Sequence, residues 1–98
     1  MPTKLTITTV KPAGTLWFKE TETAKADQIR AWTRNFPGYV SGEGKKLNST
    51  TWQNVIIFQN RERCNAFLAE RESYGPHVSR TAFQRDNNQV STTEITEI

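Results

Sequence analysis

One histidine, one cysteine and three tryptophans carry most of the chemistry available to this chain. His77, the only histidine, follows Gly75-Pro76. A neutral imidazole can ligate a metal or accept a proton near neutral pH. General acid–base work also needs partners that orient the ring, and none is legible nearby. His77 is therefore the single candidate catalytic side chain, set against a plain role at the surface or at a helix cap. Cys64 falls on the apolar stripe of a predicted helix, where a free thiol packs as a small hydrophobe. One cysteine and one histidine are too few soft or imidazole ligands for a zinc-type site, so no metal is expected. Gly42-Glu43-Gly44 leads into no helix and so does not form a phosphate-cradling loop. Trp32, Phe36, Phe58 and Phe67 could wall an apolar pocket, or they could be the core itself, because aromatic rings dominate burial in a chain this short. Trp17 stands outside the clear elements and could lid such a pocket or pack across a dimer. Glu43, Arg71 and Arg80 are candidate polar groups for the pocket.

Composition narrows the class. A chain of 98 residues suits one domain spanning 1–98, whose core would bury about 60–65% of the chain's surface. No purely apolar run is longer than Val55–Phe58, far short of the roughly 20 residues that a membrane helix needs. The opening Met-Pro-Thr-Lys-Leu does not read as a secretory leader, and Cys64 has no disulfide partner, so a cytoplasmic location is expected. The net charge of +3 comes from bases interleaved with acids, and Lys45-Lys46 is the only adjacent basic pair. That pattern predicts a solvated mixed-charge surface rather than a nucleic-acid face.

The elements that must position these residues follow from periodicity. Residues 4–10, KLTITTV, alternate and are rich in β-branched side chains, so they predict a strand that ends at Lys11-Pro12-Ala13-Gly14. TLWF, 15–18, is ambiguous between a strand extension and a turn. Residues 21–36 predict a helix whose buried face is Ile29, Trp32, Thr33 and Phe36, capped by Thr21 or Thr23 and stopped by Pro37-Gly38. YVSGEGKKL, 39–47, reads as a bulged edge strand protected by Lys45 and Lys46, and Asn48-Ser49-Thr50 as a turn. Residues 51–60 predict the strongest strand. Residues 61–72 predict a second helix burying Cys64, Phe67, Leu68 and the stem of Arg71. A further helical piece starts at Pro76 with Val78, Ala82 and Phe83 inward, and 89–98 predict a last strand.

This order, β-α-β-β-α-β, predicts an α+β, ferredoxin-like subunit with an antiparallel sheet whose first and third strands are central. Two helices cover one face of the sheet. With Ile56 and Phe58 turned towards them, Val55 and Ile57 line the opposite face beside Gln53, Thr6, Thr8 and Val10. Burying Val55 and Ile57 against a second copy would contribute about 1.5–3 kcal/mol each, which predicts a two-fold homodimer.

The element order, the Pro37-Gly38 stop, the YVSGEG strand and the VIIFQNRERCNAFLAE passage resemble the dimeric α+β barrel superfamily, which includes antibiotic-biosynthesis-type monooxygenases. The resemblance implies two ferredoxin-like subunits whose sheets close into a barrel, with a small pocket between sheet and helices in each. It implies a small aromatic ligand and its oxygenation without a cofactor, carried by a wall of Trp17, Trp32, Phe36, Phe58 and Phe67. Haem-binding members place a ligand histidine about ten residues after an aromatic, a spacing that Phe67 and His77 match. They carry a tryptophan where this chain has Phe67 and an asparagine near Thr8. A non-catalytic structural or ligand-sensing dimer is the competing reading.

Overall fold

The computed structural model describes residues 1–98. Eight elements follow one another: β1 (Thr3–Val10), α1 (Phe18–Thr21), α2 (Thr23–Arg34), β2 (Tyr39–Asn48), β3 (Thr51–Phe58), α3 (Arg61–Arg71), α4 (Gly75–Asp86) and β4 (Val90–Glu97). The four strands form one antiparallel sheet in the order β2-β3-β1-β4. Strands β1 and β3 are therefore central, and the architecture is α+β and ferredoxin-like, with each helical crossover divided into two pieces.

Local chemistry accounts for the boundaries. The first helical crossover begins at Phe18, earlier than periodicity alone indicates, because the Glu20 carboxylate reaches back to the Trp17 N–H at 2.7 Å. Neither Thr21 nor Thr23 caps α2: their hydroxyls donate backwards, to Trp17 O at 3.4 Å and Lys19 O at 2.9 Å. Strand β3 ends at Phe58 rather than at Asn60, because Asn60 is the N-cap of α3 and its Oδ1 accepts from Arg63 N–H at 3.0 Å. Pro76 lies in the first turn of α4, where a missing N–H costs no helix bond. Gly38 follows Pro37 at φ +93°, a conformation that L side chains rarely adopt.

Register determines which side chains meet. Leu5 faces Ile56, and Ile7 faces Asn54, across the central pair. The residues of β1 and β3 that turn to the helices include Leu5, Ile7, Ile56 and Phe58, all buried. They form the core with Phe36, Cys64 and Phe67. Strand β2 is an exposed edge with register shifts at Tyr39/Ser41 and Lys46/Asn48, as its composition predicts. On the opposite face of the sheet, Val55 and Ile57 are half-buried and Val10 is exposed. No helix is long and apolar enough to cross a membrane.

The inward stripe of α4 differs from expectation. Val78 is exposed, and the position turned to the sheet belongs to His77, which is only 7% exposed. Three and seven residues on, Arg80 and Gln84 are also partly covered. Ala82 and Phe83 are half-buried, as expected, with Phe83 meeting Phe18 at 5.6 Å; the neighbouring row that faces the sheet is polar, because space rather than packed side chains lies between them.

Candidate functional site

That space is a cleft between the helix-facing side of the sheet and helices α1, α2 and α4. It has two compartments that share Ile7, Thr9, Asn54, Arg80, Gln84 and Gln89. The first, about 420 Å³, is aromatic and aliphatic on one wall and basic on another. Trp17 and Trp52 meet edge to face there, with ring centroids 6.3 Å apart. Lys19 Nζ stands 3.5 Å over the Trp52 ring, and Lys11 Nζ 5.3 Å from that of Trp17. Ile29 and Phe67 supply apolar floor. Gly44 keeps this floor clear: a Cβ there would come within 2.6 Å of Asn54 Oδ1 and 3.1 Å of Trp52 Nε1, two atoms that hydrogen-bond at 3.3 Å.

The second compartment, about 500 Å³, is lined mostly by polar and charged residues, several of which present their aliphatic stems to it. Arg71, His77 and Arg80 reach it from α3 and α4, and Thr9, Asn54 and Ser91 from the sheet. Arg80 Nη2 donates to His77 Nδ1 at 2.8 Å, which places the ring proton on Nε2, 3.4 Å from Thr81 Oγ1. Burial, and then the charges of Arg80 and Arg71, hold the His77 pKa down at about 4, so the ring is neutral at pH 7. Burial and the Arg71 charge bring Arg80 to about 10, still cationic at neutral pH. Gln89 is 6% exposed; its Nε2 donates to Leu16 O at 2.8 Å, and its Oε1 has no partner in the chain.

Of the aromatic residues singled out in the sequence, Trp17 and Phe67 reach the cleft. Trp32, Phe36 and Phe58 lie behind it, because the rings satisfy one another: Trp32 stacks on Tyr74 at 4.6 Å, and Phe58 meets Phe67 at 5.1 Å and Phe36 at 6.4 Å. His77 lies neither at the surface nor at a helix cap; it is buried in the polar compartment. Glu43 and Arg80 line the first compartment, and Arg71 and Arg80 the second. Cys64 is fully buried in the core, and burial pushes its thiol pKa up, which suits packing rather than nucleophilic attack. Trp52, Asn54, Gln84 and Gln89 escaped the sequence reading. The two-residue alternation of β3, extended backwards from Phe58 and Ile56, would have put Asn54 and Trp52 on this face.

The geometry does not fit iron ligation by His77. Nε2 carries the proton, and shifting it to Nδ1 would set an N–H against the Arg80 guanidinium at 2.8 Å.

No protein-family model matches the chain, and no curated protein matches its sequence. Solved structures do match. SnoaB, a cofactor-independent oxygenase from Streptomyces nogalater, superposes with a TM-score of 0.68 at 8% identity, over 99% of this chain and 92% of that one. A candidate antibiotic biosynthesis monooxygenase from Deinococcus radiodurans gives 0.71 at 10% identity, over 98% and 91%. A dimeric ferredoxin-like protein from an uncultured marine organism gives 0.69 at 13% identity, over 100% and 96%. At such identities the likeness is one of fold. The chain thus has the ferredoxin-like fold of the antibiotic-biosynthesis-monooxygenase-like structures.

Proposed function

We propose that the chain is the subunit of a homodimer that binds a small aromatic molecule in the cleft and oxygenates it with dioxygen, without a cofactor. The observation that carries this reading is the compartment under Trp17 and Trp52, which offers ring faces and apolar floor beside a few convergent polar groups. The shared fold with SnoaB, itself a cofactor-independent oxygenase, supports the chemistry. For an anthrone-type substrate the reaction balances as a methylene plus dioxygen giving a carbonyl plus water, with the substrate supplying all the electrons. The dimer reading rests on Val55 and Ile57, apolar side chains on the uncovered face of the central strand, and on the neighbour described as dimeric.

One observation favours a ligand-sensing dimer as the second reading. His77 Nδ1 already accepts from Arg80, so the ring offers a donor rather than a base. Oxygen uptake with an anthrone or a quinol separates the two. Turnover that is lost in Trp52→Ala or Gly44→Leu supports the oxygenase; tight binding without oxygen consumption leaves the sensor.

A further inference from the structure

Resting on the reading of the cleft as an aromatic-ligand site, we infer that its ligand is an anion: an aryl carboxylate whose ring occupies the first compartment and whose carboxylate meets Arg80 and Arg71 in the second.

The two compartments are lined by Lys19, Arg30, Arg34, Arg71, Arg80 and Arg85 against only Glu43 and Glu72. That excess is larger than the +3 of the whole chain. Several of these cations are answered at the surface: Arg30 pairs with Asp27 and Arg85 with Asp86, all exposed. Arg80 and Arg71 are different. Arg80 takes part in no ion pair, and its hydrogen bond goes to a neutral imidazole. The Arg71 side chain is 14% exposed, and its Nε has no hydrogen-bond partner. Its nearest carboxylate, Glu72 Oε1, stands 3.7 Å away, beyond hydrogen-bond reach, on a side chain 67% exposed to water. A covered guanidinium without an anion is costly, and the forked N–H groups of arginine match the two oxygens of a carboxylate.

Arg80 lines both compartments, so one guanidinium borders the aromatic space and the polar space together. The other charged or titratable groups lining the second compartment are His77, which accepts from Arg80 at Nδ1, the exposed Arg85, and Glu72, a largely exposed side chain whose Oε1 stands 3.7 Å from Arg71 Nε and 3.8 Å from His77 Nε2.

The test compares isosteric probes, 2-naphthoate and 2-naphthamide, by calorimetry and by the fluorescence of the cleft tryptophans. The wild-type protein should bind 2-naphthoate about 10- to 100-fold more tightly than the amide, the range for a charge-assisted pair. Arg80→Met should remove that preference, Arg80→Lys should keep part of it, and Lys45→Ala on the exposed edge strand should leave it intact. The chain has one histidine, so the Hε1 proton resonance of His77 should shift with 2-naphthoate and not with the amide. That signal and the wild-type comparison suffice even if an Arg80 variant fails to fold. Equal binding of the two probes would overturn the anion inference and leave the aromatic cleft standing. Binding of neither at millimolar concentration would overturn both.

Discussion

Arg80 and His77 form a hydrogen bond in which the cation is the donor and a neutral ring the acceptor, Nη2 to Nδ1 at 2.8 Å. The pair sits three residues apart on one face of α4, so the helix itself holds it in place. Burial first, and then the guanidinium pressed against it, keep that imidazole unprotonated, and this has a measurable consequence for stability.

Above pH 6.5, His77 is neutral both folded and unfolded and adds no pH dependence. Between 6.5 and about 4 the unfolded chain takes up a proton that the folded chain refuses, so stability falls as pH falls. Below about 4 both states are protonated and the slope disappears. The total loss is about 3 kcal/mol at about 1.4 kcal/mol per pH unit. Urea denaturation at pH 7.5 and pH 4.5 should show most of this loss, about 2.5 kcal/mol, in the wild type and a much flatter profile in His77→Gln. Parallel profiles for the two proteins would contradict the assignment.

Phe58 is fully buried at the centre of the ring cluster, in contact with Phe36 and Phe67. Phe58→Ala should lower the unfolding free energy by about 3–5 kcal/mol through lost transfer energy and an unfilled cavity. It should leave the cleft lining in place, since Phe58 does not belong to it. A urea midpoint within error of the wild type would mean that the cluster is not the core.

Gly38 combines φ +93° with close approach to α3: a Cβ there would lie 2.6 Å from Arg63 Cβ. Gly38→Ala should therefore cost about 1–3 kcal/mol, from the strained backbone and the displaced helix side chain. Thermal melting provides the check, and an unchanged midpoint would show that the turn relaxes freely. Gly14→Ala makes a useful contrast, because φ there is also positive (+84°) but no heavy atom lies within 4 Å of the added Cβ; it should cost less than Gly38→Ala.

Ile57 and Val55 stand on the central strand, on the face without helices. Ile57→Asp should convert a dimer of about 22 kDa into a subunit of 11.2 kDa in sedimentation at low micromolar concentration. A wild-type protein already sedimenting as a folded 11.2 kDa particle would remove the dimer from the proposal.

Much of the architecture was readable before any coordinates. Alternation in KLTITTV and the apolar run at Val55–Phe58 marked the two central strands, and the glycines and lysines of 39–47 marked an edge. Ile29, Cys64 and Phe67 appeared on buried helix faces because apolar periodicity reports burial directly. On α4 the same rule found the half-buried Ala82 and Phe83 but missed the row that faces the cleft. It favoured Val78 over His77, since hydrophobicity predicts only faces packed on a core, whereas this face borders a cleft and carries His77, Arg80 and Gln84. It left open whether Trp32, Phe36 and Phe58 wall a pocket or form the core, because composition does not distinguish rings that pack on each other from rings that border space.

The sequence by itself determined the order of the strands and helices, the edge and central roles, and the two faces of β3, because backbone periodicity is a local property. The tertiary structure alone decided that Trp52 meets Trp17, that Arg71 and Arg80 share one compartment with a neutral His77, and that Gln89 lies beside them. Those groups come from strands and helices far apart in the chain. Only the packing of α4 over the sheet fixes how much water they lose and which charges they face.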